Sequence, residues 1–482
     1  MKRSWCALAE TDVQPEGTEA SEPNRSIGGL GAFSIVAGSM IGIGIFLTPH
    51  TMALRLDSTF TFLSVWLIAG LVSLCGAVSY AELGCIMPMS GGDYIFQRRV
   101  FGNSIAFAYG WGLLTAAFAG SIAAMAVPLC SFQLAELTGL PLGNEVFELP
   151  APIGSVQWAE LLSIGVVFLL TYINVANVRL STVVQTFTTL VPLTLFTGMA
   201  FYAFSNHEQP ALVASSESIQ KSTELNISGV TSAFLDAYFA FAGWIAVVYV
   251  AGEIKNPGKN IPRSIIGGTV CVLLLYLLFA ACFVNILGLE GLASLQIDAG
   301  SAVALAIGGE TAKVIVVALI TAALLSTINA TILGGGRVGY ALAKDGAFWS
   351  KAAVLHPRNG TPSRALWAQA LFATVMILCI PWSVMFELVS LVMVVGAAVT
   401  VVALLVMRRR EPEIERPYKA LGYPYLPLIF VLTSVLVLSS KIHDVYTGEE
   451  NSWYPMLGLG IVFAAYIFHR FFVSKAKQIP EN

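Results

Sequence analysis

Gly38-Ser39-Met40-Ile41-Gly42-Ile43-Gly44-Ile45-Phe46 places three glycines within seven residues, in the middle of an apolar stretch long enough to cross a membrane. In a helix interior each glycine costs up to about 1 kcal/mol relative to alanine, so this segment invites the helix to unwind. An unwound turn in hydrocarbon leaves amides and carbonyls that must line a polar cavity or pack against protein. A second reading stays open at this point, because Gly38-x3-Gly42 is also a small-xxx-small spacing that brings membrane helices close together. Phe239-Ala240-Phe241-Ala242-Gly243-Trp244 tips the balance: it again puts small residues and aromatics at mid-span, five spans later. Paired interruptions of this kind mark transporters built from two inverted repeats.

The remainder of the 482 residues fits that frame. Of these, 56% are hydrophobic and 11% are charged, against roughly 25% charged in soluble domains, so the bilayer is the solvent. About 20 apolar residues cross the hydrocarbon core as a helix. Such stretches occur near 28–48, 59–86, 104–130, 158–174, 181–204, 230–252, 264–288, 314–336, 365–380, 384–407, 424–440 and 455–473. Segments such as Val270 to Val284 and Val389 to Met407 are apolar throughout, which excludes the alternating pattern of a β-barrel. The expected fold is an all-α membrane protein of about twelve transmembrane helices, discontinuous at helices 1 and 6. The expected organisation is a cytoplasmic tail (1–27), a first repeat (28–204), an outer loop (205–229), a second repeat (230–407), a basic inner loop with two final helices (408–473) and a second tail (474–482). The first 27 residues have no apolar core or cleavage site and do not read as a signal peptide.

With the N-terminus in the cytoplasm, only Arg55, Lys221, Lys313 and Lys441 of the 26 Lys and Arg fall outside. This asymmetry is the one the positive-inside rule demands and places both termini in the cytoplasm of a cell-membrane protein. The seven cysteines are scattered and mostly inside spans, so they read as buried free thiols.

The two interruptions suit a zwitterion. The half-helix starting near Gly42 offers free N–H groups and a positive dipole end to a carboxylate, and the half-helix ending near Ala240 offers carbonyls to an ammonium. No Asp, Glu, Lys or Arg lies between Ile27 and His50, so no ionised side chain is needed there.

GSMIGIGIF (38–46), FAFAGW (239–244), EIKNPGKNIPRSI (253–265), YALAKDG (340–346), TPSRA (361–365) and RPYKALGYP (416–424) together resemble the amino acid–polyamine–organocation superfamily, in particular its L-type amino acid transporters and their bacterial relatives. The likeness runs from Ile27 to about Ser440. It implies a fold of five-plus-five inverted repeats with helices 11 and 12 outside them, and alternating access by rocking of helices 1, 2, 6 and 7. It implies a substrate carboxylate on backbone amides of Gly42, Ile43 and Gly44, and an amine on the carbonyls of Met40, Phe239, Ala240 and Ala242. Phe239 would be the lid, with Phe241, Trp244 and Ile245 at the gate and pocket.

Several positions depart from that family. Counting seven residues from Val184-Gln185, where many sodium-independent relatives carry a lysine, gives Pro192, which favours exchange or facilitated uptake over proton coupling; a helix kink is the other reading of Pro192. Ile43 and Ile245 stand where relatives carry polar residues, which points to neutral substrates. Ser131 to Gln157 holds no cysteine, so no disulfide-linked heavy chain is expected. Asp236 reads either as a vestibule or coupling acid or as a solvated residue at the outer end of helix 6, and Glu82 and Glu253 as caps at cytoplasmic helix ends.

The expectation is therefore a secondary transporter of amino acids, with a proton-coupled amino acid or polyamine carrier as the alternative. Its partners would be the substrate and the lipid bilayer, with no nucleic acid, cofactor or metal. A membrane enzyme and a non-transporting sensor are the rival classes; neither a His-Glu-x-x-His nor a Gly-x-Ser-x-Gly motif occurs.

Overall fold

A computed structural model describes residues 25–42, 44–149, 154–176, 178–206, 227–295, 298–357, 360–448 and 453–473. Ile43, most of the expected outer loop at 205–229, nearly all of the N-terminal tail and the C-terminal tail lie outside the described residues.

Eleven described helices are long and apolar enough to cross a membrane, and Ser363–Cys379 is a shorter apolar one. Twelve spans result: Gly29–Ala53, Thr59–Ile86, Asn103–Thr138, Trp158–Ala176, Val178–Asn206, Ile227–Tyr249, Pro257–Ala293, Ala299–Lys344, Ser363–Cys379, Trp382–Arg410, Tyr425–Thr447 and Tyr454–Phe468. Apolar side chains cover both sides of these helices. Phe62, Trp66 and Ala69 of span 2 are buried in the bundle, while Phe60, Leu67 and Leu71 face outward, as they must where the surroundings are lipid tails.

Some expected boundaries move. Span 3 runs eight residues past the expected end at 130, and two π-helical stretches, Leu113–Phe118 and Leu129–Leu134, interrupt it. Beyond it, Glu145–Leu149 and Gly154–Gln157 pair as a short antiparallel hairpin. Spans 7 and 8 continue into the expected loop between them by turning at Gly288 (φ 69°) and Gly309 (φ 65°), conformations that glycine adopts without a Cβ penalty.

Buried ion pairs tie the helix ends together. At the N-terminal face, Glu82 does not cap its helix: it accepts from Arg408 Nε at 2.9 Å and lies 3.2 Å from Arg416. Glu253 likewise pairs with Arg337 of span 8 at 2.9 Å. At the opposite face Asp236 is buried and ion-paired, not solvated, because Arg55 reaches it at 3.0 Å and Thr51 donates to it at 2.8 Å. Arg55 also contacts Glu387 of span 10, which in turn meets Lys441 of span 11.

Candidate functional site

Span 1 is two helices. Gly29–Met40 ends at Ile41, and Gly44–Ala53 begins three residues later, so the break falls within the glycine cluster. The first N–H groups of the second half have no carbonyl one turn behind them. Gly42 N bonds only two residues back, to Met40 O, at 2.9 Å.

Span 6 is interrupted more gently. Its α-helix stops at Phe241, tightens into a 3₁₀ turn over Ala242–Ile245, and resumes over Ala246–Tyr249. The two interruptions touch directly. A Cβ on Gly243 would lie 2.2 Å from the carbonyl carbon of Ser39, and one on Gly44 would lie 2.7 Å from Ala240 Cα. These glycines are small because another backbone occupies the place of their side chains.

Two hydroxyls hold the loosened backbone. Tyr276 of span 7 donates to Met40 O at 2.5 Å and lies 3.2 Å from Ala240 O, so one side chain bridges both breaks. Thr327 of span 8 places its hydroxyl 2.9 Å from both Gly38 O and Ile41 O. Met40 O is thereby paired, and the single Thr327 proton is shared among Gly38 O, Ile41 O and its own helix's Ala323 O at 3.0 Å.

Between the breaks lies a cavity of about 60 Å³. Ser39, Met40, Gly42 and Gly44 line it from span 1; Phe239, Ala240, Ala242, Gly243, Ile245 and Tyr249 from span 6. Phe118, Ser121 and Met125 of span 3 and Thr327 and Thr331 of span 8 complete it, with Met393 of span 10. Phe118 closes the π-helical stretch of span 3, a distortion common at functional sites. Among the described residues, no Asp, Glu, Lys, Arg or His lines the cavity. Ser39 Oγ is buried without a hydrogen-bond partner.

Phe239 sits edge-on to Phe386, with ring centroids 4.7 Å apart. On the far side of Phe386 is a second cavity of about 250 Å³, containing Arg55, Asp236 and Glu387. The aromatic pair is the wall between the two spaces.

Other residues singled out from sequence lie elsewhere. Phe241 turns away from the cavity toward Trp66 and Tyr276, and Trp244 packs against Tyr80 and Phe430. Pro192 is buried in span 5 and does not line the cavity. Met40 O already accepts from Gly42 N and Tyr276, which uses both of its lone pairs. Tyr276, Thr327, Ser39 and Ser121 were missed. The adjacent hydroxyls Ser326-Thr327 in the middle of an apolar span were a usable signal, whereas nothing in sequence separates Tyr276 from a packing tyrosine.

The sequence profile of amino acid permeases matches residues 27–469. The chain is 28% identical to the human large neutral amino acids transporter small subunit 2 over 431 residues, covering 87% of this chain and 77% of that one. It is 26% identical to the serine/threonine exchanger SteT of Bacillus subtilis, covering 88% and 93%. It is 28% identical to the mouse Asc-type amino acid transporter 1, over 84% of this chain and 75% of the relative.

Proposed function

The chain belongs to the amino acid permease family, and from that membership we propose that it carries small neutral amino acids across the cell membrane by sodium-independent exchange or facilitated uptake. The observation that carries this reading is an uncharged cavity held between two helix breaks. The first-turn amides that follow Gly42 and begin at Gly44 would take the substrate carboxylate, with Ile43 between them. The carbonyls of Phe239, Ala240 and Ala242, with Ser39 Oγ, would take the ammonium. Met40 shapes this pocket, its carbonyl being already engaged by Tyr276.

Size supports a small side chain. A single water needs roughly 10–15 Å³ of such space, so about 60 Å³ suits a solute with only a few heavy atoms beyond its backbone. Ser121 and Thr331 also line the cavity, and their hydroxyls would favour a hydroxylated side chain. The acid at Asp236 stands in the outer space, engaged by Arg55, which leaves no acid in the central cavity for a cationic side chain.

The basic residues gathered on one face support cytoplasmic termini. One relative's name describes it as a small subunit. In this chain Cys130, inside the second π-helical stretch of span 3, is buried and free, which supports function without a disulfide-linked heavy chain. The reading is transport and not catalysis.

Counterflow in proteoliposomes tests it. Internal unlabelled serine, threonine or alanine is expected to drive uptake of the labelled amino acid with no sodium or proton gradient. Uptake that needs an imposed ion gradient, or that prefers lysine or a polyamine, would sink the assignment.

A further inference from the structure

Among the described residues three carboxylates are buried at the face of the bundle that carries the N-terminus, and two of them have a cation. Glu82 has Arg408 and Arg416; Glu253 has Arg337. Asp93, fully buried at the first residue of the helix Asp93–Phe101, has hydroxyls instead. Tyr249 Oη donates to it at 2.5 Å, Thr400 Oγ1 at 2.6 Å, and Tyr80 Oη also donates. Gln97 Nε2 donates to Thr400 Oγ1 at 2.9 Å, which leaves the threonine's own proton for the carboxylate.

The titratable groups facing Asp93 are Tyr80 of span 2, Tyr109 of span 3, and Tyr238 and Tyr249 of span 6. Span 10 contributes Thr400. On its own helix, Arg98 is engaged by Asp345 and Arg99 by Glu411. Among the described residues no Lys, Arg or His is hydrogen-bonded to Asp93 or pairs with it. Burial pushes its carboxyl above the usual carboxylate range, and the hydroxyl bonds pull it back.

Tyr249 belongs to two structures at once, since it also lines the central cavity. Any movement of this ring away from its place therefore takes a donor from Asp93. We propose that Asp93 is a proton-binding site that gates this face of the transporter. When the inner end of span 6 moves and Tyr249 departs, an Asp93 Oδ forms an O–H bond with a proton from water on that face. When the gate recloses, the proton returns to the same side and Tyr249 donates again. No net proton crosses, and the step needs no co-reactant. Tyr80, Tyr109 and Thr400 of spans 2, 3 and 10 stay packed on Asp93 when span 6 moves, so the carboxyl keeps most of its burial and loses one donor; the open form then binds the proton more tightly, and acid on that face favours opening.

The inference rests on the alternating-access reading, and one experiment separates the two. Exchange of labelled serine is measured in proteoliposomes between pH 5 and 8, with the same pH on both sides. The wild-type rate is expected to rise with falling pH by at most about tenfold per unit, the limit for one proton. Asp93→Asn is expected to flatten the profile. Tyr80→Phe and Thr400→Val each remove one donor from the charged form, so each should move the midpoint to higher pH. A flat wild-type profile, a wild-type profile retained in Asp93→Asn, or unmoved midpoints in both donor variants would overturn the proposal. If Asp93→Asn fails to fold, the donor variants decide it. Wild-type protein that exchanges nothing at any pH would refute the transport reading instead.

Discussion

Gly243 and Gly44 are where a single methyl group decides whether the site exists. A Cβ at Gly243 would stand 2.2 to 2.5 Å from the backbone of Ser39 and Met40, which no side-chain rearrangement can relieve. Overpacking a close-fitted region costs about 1–3 kcal/mol, and here the strain falls on the two breaks that form the cavity. Gly243→Ala is therefore expected to abolish substrate binding and lower the detergent-solubilised melting temperature. Gly165→Ala, whose Cβ would meet nothing within 4 Å, should leave both unchanged. Wild-type binding by the Gly243→Ala protein would show that the two backbones need not touch. Gly44→Leu should also abolish binding, through the same close approach, at Ala240.

Within the elements, the interruptions persist because other helices pair what they expose. The single proton of Thr327 of span 8 is shared between Gly38 O and Ile41 O, and that of Tyr276 of span 7 goes to Met40 O with Ala240 O close by. An unpaired buried carbonyl costs about 1–3 kcal/mol, so losing either hydroxyl should destabilise the broken form. Met40 O keeps its bond from Gly42 N when Tyr276 is lost, so Tyr276→Phe is expected to lower stability by about 0.5–1.5 kcal/mol, read by thermal unfolding, and to weaken substrate binding. A variant with unaltered melting and affinity would mean that water replaces the phenol without loss. Span 6 needs less support, since a 3₁₀ turn keeps most of its backbone bonds.

Across the whole molecule, charge is arranged by face. Arg55, Asp236, Glu387 and Lys441 connect spans 1, 6, 10 and 11 at one end, while Arg337–Glu253 and Arg408–Glu82 connect spans at the other. The cavity lies between these layers. The orientation is open to direct test: in a Cys6→Ser background, a membrane-impermeant maleimide on intact cells should label Gly143→Cys, beside the hairpin that follows span 3. Lys351→Cys, in the exposed segment between spans 8 and 9, should react only after lysis. The reverse pattern would place the N-terminus outside.

The twelve spans, the break in the glycine cluster and the lack of charge beside it were legible in the sequence. Each follows from local chemistry: apolar runs long enough for a bilayer, glycines that weaken a helix, and no charge near them. Phe241 and Trp244 were assigned to the pocket because adjacent positions on a helix cannot be sorted by direction until the neighbouring helices are in place. Asp236, Glu82 and Glu253 likewise looked like helix-end residues. Their partners Arg55, Arg408 and Arg337 lie from 84 to 326 residues away in sequence and meet them only when the bundle closes. Helix length and helix weakness are properties of a segment, so sequence alone determined them; which hydroxyl or guanidinium satisfies a buried group is a matter of three-dimensional proximity, and only the tertiary structure decided it.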